Sequence, residues 1–69
     1  MKISARNFLE GTIKEVHKGA TIAHVEIALK GGGVVTSSIT NESVEELGLK
    51  KGGLAYAVIK ASDVMIAVK

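Results

Sequence analysis

Nothing in this chain can staple a fold together. It has 69 residues and no cysteine, which excludes disulfides, thiolate metal sites and a cysteine nucleophile at once. A domain this small buries only about 60% of the surface its unfolded chain exposes, so alone it is marginally stable. Tryptophan is absent and Phe8 and Tyr56 are the only aromatics, so the side chains that usually dominate a small core are missing too. Yet 46% of the residues are hydrophobic. Small, apolar and unstapled together imply a subunit that completes its core against copies of itself.

Proline is absent, so glycine does all the punctuation. Asn7 to Val16 mixes Phe8, Leu9, Ile13 and Val16 with Glu10, Thr12, Lys14 and Glu15, a first strand in which Gly11 marks a bulge or bend. His17-Lys18-Gly19-Ala20 reads as a turn. From Thr21 to Leu29 the alternation is clear: Thr21, Ala23, Val25, Ile27 and Leu29 share one face, and Ile22, His24, Glu26 and Ala28 the other. The second face is half apolar, as expected of a strand that also touches another subunit.

Lys30-Gly31-Gly32-Gly33 is a hairpin connection, and Val34 to Ile39 a β-branched, hydroxyl-rich strand. Thr40 to Leu47 then changes period. Val44 and Leu47 stand three apart among Glu42, Glu45 and Glu46, which suits two turns of amphipathic helix. Thr40 or Asn41 is placed to cap its start and Gly48 to end it. After a turn at Lys50-Lys51-Gly52-Gly53, Leu54 to Ile59 is an apolar strand, Lys60 to Asp63 a break, and Val64 to Val68 a last strand. No long helices alternate with the strands, so a parallel α/β sheet is excluded. The expected fold is all-β: a five-stranded OB-like Greek-key barrel, one domain over residues 1–69, with one short helix between strands 3 and 4.

Nine Lys and Arg against seven Asp and Glu leave a formal charge of +2. That falls short of the basic stripe of a nucleic-acid binder, and two aromatics cannot supply a row of stacking platforms. An OB-type nucleic-acid module is therefore the weaker alternative. The N-terminus has charges but no apolar run after them, so it is no signal peptide. No apolar stretch approaches the roughly 20 residues of a membrane span. The expectation is a cytoplasmic protein with no membrane partner, in which the sequon Asn41-Glu42-Ser43 is accidental.

The residues offer little for catalysis or metal. His17 and His24 have no carboxylate at a convincing ligand spacing and read as exposed or interface histidines. A nucleophile needs an adjacent base and a group to orient it, and neither histidine is obviously beside the hydroxyls at 36–38, 40 and 43. Lys30-Gly31-Gly32-Gly33 lacks the Gly-Lys-Ser/Thr ending of a phosphate loop. The chain reads as a non-enzyme. What remains is a scattered set of anion-friendly groups: Ser4 and Arg6, Thr40 and Ser43 at the helix start, and Lys60 followed by the amides of Ala61 and Ser62. Hydroxyls, free backbone N–H groups and two cations suit a tetrahedral dianion. Each also has an ordinary explanation: Thr40 and Ser43 as helix caps, Lys60 solvated, Arg6 paired with a glutamate.

Three separated stretches carry a resemblance. Ser4-Ala5-Arg6-Asn7 with Gly11-Thr12-Ile13 resembles the opening of the molbindin (Mop) family of small molybdate-binding proteins. The stretch Thr36-Ser37-Ser38-Ile39-Thr40-Asn41-Glu42-Ser43-Val44-Glu45-Glu46-Leu47-Gly48-Leu49-Lys50-Lys51-Gly52 is similar to its central segment. Tyr56-Ala57-Val58-Ile59-Lys60-Ala61-Ser62-Asp63-Val64-Met65-Ile66 matches its closing one. The resemblance implies a single TOBE-type Mop domain that assembles with itself as a hexamer, a trimer of dimers, and holds molybdate or tungstate at subunit interfaces without an organic cofactor. It implies a main site of Ser4, Ala5 and Arg6 from one chain, with Thr40, Ser43, Lys60, Ala61 and Ser62 from a neighbour. A second type of oxyanion site, near threefold axes, falls on Lys18, Gly19, Ala20 and Thr21. The implied role is molybdenum storage and homeostasis.

Overall fold

The computed structural model describes residues 2–69. Strands β1 (Asn7–Lys18), β2 (Ile22–Leu29), β3 (Val34–Thr40) and β4 (Leu54–Ile59) form one antiparallel sheet in the order β3-β2-β1-β4. Helix α1 (Asn41–Leu47) joins β3 to β4, and a 3₁₀ turn at Ala61–Asp63 follows β4. The long β1 is the hinge of the sheet, pairing β4 along its first half and β2 along most of the rest.

The alternation in β2 comes out as the pattern requires. Ala23, Val25 and Ile27 are buried, and with Ile13, Val44 and Ala57 they make the core, while Ile22 and His24 on the other face stay exposed. Seven residues are too few for an isolated helix to persist, so α1 depends on its ends and on one anchor. Thr40 is the N-cap: its Oγ1 accepts the Ser43 N–H at 3.0 Å. Gly48 takes the left-handed conformation, φ 62°, that ends the helix. Val44 inserts between them into the core.

Two expectations need correction. Gly11 does not mark the bulge. The register of β1 against β2 slips further on, between Ile13 and Glu15. Gly11 instead permits a close approach: a Cβ there would lie 2.4 Å from the Ala28 carbonyl oxygen. The expected fifth strand, Val64 to Val68, does not form. The sheet has four strands, and beyond the 3₁₀ turn the chain runs without a partner. Met65, Ile66 and Val68 are 94%, 89% and 91% exposed. Alternation states which faces of a segment can be buried, but a strand exists only where it pairs with a neighbouring edge, and this segment pairs with neither free edge, β3 or β4. Smaller differences follow the same logic. β1 runs on through His17 and Lys18 because these residues pair with His24 and Ala23.

Ion pairs brace the outside. Lys51 Nζ holds Glu15 Oε1 at 2.8 Å, and Lys18 holds Glu45. Hydrogen bonding first, then the positive charge, lowers both carboxyls below their ordinary 4.5. A carboxyl with a lowered folded pKa contributes stability above its unfolded value and loses it as pH falls through the folded one. The melting-temperature gap between the native protein and Lys51→Met is therefore expected to be open at pH 7 and to close below about pH 4. Thermal melts of both at pH 7 and pH 3 check this, and a gap that widens in acid would refute it.

Candidate functional site

The β1–β4 ladder ends at Asn7 opposite Ile59, and the Asn7 side-chain amide donates to the Ile59 carbonyl at 3.1 Å, pinning that end. Along the chain beyond this last pair come Arg6, Ala5 and Ser4 on one segment and Lys60, Ala61 and Ser62 on the other, the latter entering the 3₁₀ turn. The register thus delivers the first and last groups of the anion-friendly set to one end of the sheet, although 54 or more positions separate them in the chain. Arg6 and Lys60 are both exposed and make no ion pair among the described residues. Lys18, Lys30 and Lys51 are by contrast matched with Glu45, Glu10 and Glu15.

The 3₁₀ turn adds donors. The N–H groups of Asp63 and Val64 bond back to the carbonyls of Lys60 and Ala61. Those of Ala61 and Ser62, the first in the turn, have no partner among the described residues, as the first N–H groups of any helical turn lack one within it. Two cations, two hydroxyls and two backbone N–H groups therefore lie on the two segments that leave this end of the ladder, with Asp63 the carboxylate beside them. Like charges at neighbouring cross-strand positions repel, and an anion between them turns that repulsion into attraction.

Thr40 and Ser43 lie elsewhere. Thr40 pairs with Ile22 at the start of β2, and Lys18, at the end of β1, pairs with the next residue, Ala23. Thr40 and Lys60 thus sit at opposite ends of the 12-residue β1, and one chain does not bring them together. Both hydroxyls already serve the cap, Thr40 Oγ1 donating to Ser43 Oγ at 2.9 Å, which leaves the Ser43 hydroxyl proton free to donate outward.

The turn at Lys18 to Thr21 adjoins this same end. The Asn41 N–H donates to the Thr21 carbonyl at 2.8 Å and the Asn41 side-chain amide to Gly19 at 3.0 Å. Asn41, read in the sequence only as a possible cap, is thus the brace between turn and helix. A lone amide carries no pattern that announces such a role. Lys18 is paired with Glu45 and the Gly19 N–H with the Ile22 carbonyl, so an oxyanion at this turn competes with Glu45 for the lysine.

The histidines are exposed, one of the two environments expected of them, and gain a neighbour. His17 and His24 face each other across β1 and β2, and Ser38 stands directly opposite His24, a neighbour that the sequence did not reveal. Both histidines are exposed, and no hydrogen bond joins His24 to Ser38 among the described residues. Nor, among the described residues, does any group of three His, Asp or Glu stand where it could hold a metal. No helix among the described residues is long and apolar enough to cross a membrane.

An all-β, OB-like sheet carrying one short helix, with a cationic donor cluster at the open end of its β1–β4 pair, defines a small-ligand binding module. The family model for the TOBE domain matches residues 3–66. The molybdenum-pterin-binding protein 1 of Clostridium pasteurianum is 50% identical over 66 residues, covering 96% of this chain and 97% of that protein. Among solved structures, a molybdate binding protein from Sporomusa ovata superposes with a TM-score of 0.91 at 38% identity, over 99% of this chain and all of that one. The cytoplasmic molybdate-binding protein ModG, with molybdate bound, gives 0.90 at 54% identity, over 94% of this chain and 46% of its own. The chain belongs to the TOBE domain family and, within it, to the single-domain Mop proteins.

Proposed function

We propose that this chain, acting over residues 1–69 as one Mop domain, binds molybdate and tungstate for molybdenum storage and homeostasis in the cytoplasm. The observation that carries this reading is the pair Arg6 and Lys60, uncompensated cations at the end of one strand pair, flanked by Ser4, Ser62 and the free amides of Ala61 and Ser62. It agrees with the molybdate-binding names of relatives that match nearly end to end.

The oxyanion is held as an intact tetrahedral dianion. The protein supplies hydrogen bonds and charge but no bond to the metal, no organic cofactor and no chemical step. Thr40 and Ser43 join the site from another chain, because within one chain they lie at the far end of β1 from Lys60. The resemblance groups Lys60 with Thr40, whereas this reading groups it with Ser4, Ala5 and Arg6, supported by the last pair of the ladder, Asn7 on Ile59. The functional unit is a homo-oligomer, a hexamer built as a trimer of dimers, and the Lys18–Thr21 turn forms its second type of oxyanion site. A nucleic-acid role is not favoured: Phe8 and Tyr56 share one exposed face of the β1–β4 pair, but two aromatics are too few for a stacking row.

Such a site selects by charge and size. Tungstate is expected to bind within a few-fold of molybdate. Sulfate, being smaller, leaves at least one desolvated donor unmet, at about 1–3 kcal/mol, or roughly 5- to 150-fold in affinity. Isothermal titration with the three anions measures this directly. Equal affinity for sulfate would remove the size argument, and no heat with molybdate or tungstate would remove the function.

A further inference from the structure

The pair His17 and His24 belongs to a larger symmetry. Glu15-Val16-His17 on β1 and His24-Val25-Glu26 on β2 are the same three residues in opposite order. The antiparallel register lays one on the other: Glu15 on Glu26, Val16 on Val25, His17 on His24. Side chains alternate between the faces of a strand. Val25 is buried and Val16 packs against the core, so the four titratable side chains share the outer face. Directly opposite residues hold their Cβ atoms about 4.5–5.5 Å apart. Two imidazoles thus make one rung and two carboxylates the next, with His17 Nε2 3.9 Å from Glu26 Oε2.

The charges on this face do not balance. Like charges directly opposite one another repel. Glu15 is offset by Lys51 at 2.8 Å. Glu26 meets no Lys or Arg among the described residues, and its one ion-pair partner is His17, which is charged only when protonated. Neither imidazole makes a hydrogen bond among the described residues, and both are exposed. Free ring nitrogens beside unbalanced negative charge suit a divalent cation that prefers imidazole, as the later first-row transition metals do.

We propose that His17 and His24 of one chain chelate a divalent transition cation, of the class of Zn²⁺ or Ni²⁺, across the β1–β2 pair. No three His, Asp or Glu among the described residues stand where they could hold a metal together. The two imidazoles are therefore the protein ligands, water fills the other positions, and Glu15 and Glu26 act through their charge. The ion ties β1 to β2 near the end of β1. This site is separate from the oxyanion donors at 4–6 and 60–62 and is independent of which anion is bound. Mg²⁺, which favours oxygen ligands, is not expected to use it.

The chain has two histidines and no cysteine, so the test has no competing imidazole or thiolate. Untagged protein is titrated with Zn²⁺, Ni²⁺ and Mg²⁺ by calorimetry and melted with and without each. The native protein should take up one Zn²⁺ or Ni²⁺ per chain. At ten times the measured Kd, its melting temperature should rise by about 5–10 °C, with no rise in Mg²⁺. His17→Gln and His24→Gln fall at exposed positions, and melts without metal check that both fold. Each should lose more than the roughly 10-fold in affinity that removing an outer partner of a metal site costs. No binding to the native protein overturns the proposal, as does native affinity in either variant, which puts the ion elsewhere. The two variants are also unfolded and refolded together. A mixture that regains native affinity places the two imidazoles on different chains and overturns it too.

Discussion

Gly11→Ala is expected to unfold most of the protein near room temperature or to lower its melting point by some 12–25 °C. The added methyl would stand 2.4 Å from the Ala28 carbonyl oxygen, 2.8 Å from Ile27 Cγ2 and 3.0 Å from the Ala28 carbonyl carbon. Two of these three atoms are backbone and have no rotamer in which to retreat. The glycine cannot move away either, because it is paired on both sides, with Leu29 of β2 and Ala55 of β4. Overpacking usually costs about 1–3 kcal/mol and more where nothing relaxes. A chain of this length holds only about 3–10 kcal/mol in total, and each kcal/mol moves the melting point of so small a domain by about 4–8 °C. Gly31→Ala is the control, since its Cβ would meet nothing within 4 Å. Circular-dichroism melts of the two variants decide the matter. Equal melting points would mean that the β1–β2 approach is softer than its geometry indicates.

Removing the cations at the end of the β1–β4 pair should separate binding from folding. Arg6→Ala and Lys60→Ala each delete a charge-assisted set of hydrogen bonds worth about 1.5–3 kcal/mol, or roughly 10- to 150-fold in molybdate affinity, and the double variant should show no measurable binding. Neither side chain has an ion-pair partner among the described residues, so folding without ligand should be unharmed, or slightly improved by the loss of like-charge repulsion. The native protein should gain about 2.7 kcal/mol of stability at a molybdate concentration 100 times its Kd, and the double variant none. Calorimetry with and without molybdate reads both effects. Native affinity in both single variants would remove the site from this end of the sheet.

Much of this was legible in the chain alone because it depends on short-range order. The period of two in β2 selects Ala23, Val25 and Ile27 for the core, and the Thr40-to-Gly48 capping pattern delimits α1. The glycines at 31–33 set a hairpin, closed by the Leu29 and Gly33 backbone groups at 2.9 Å. The anion-friendly residue types were also visible. Their grouping was not, since Arg6 and Lys60 become neighbours only through the register of Asn7 on Ile59, and residue type carries no information about pairing at that separation. The same holds for Ser38 beside His24 and for Ala28 pressing on Gly11.

The sequence by itself therefore determined the succession of elements from β1 to β4 and their buried faces. Tertiary structure alone decided which donors share an end of the sheet and which are held apart by β1. It also decided that the last apolar segment pairs with neither edge of its own sheet. The physical reason is one of range: periodicity and capping act within a few residues, whereas register and free edges are properties of strands that meet only once the chain has folded.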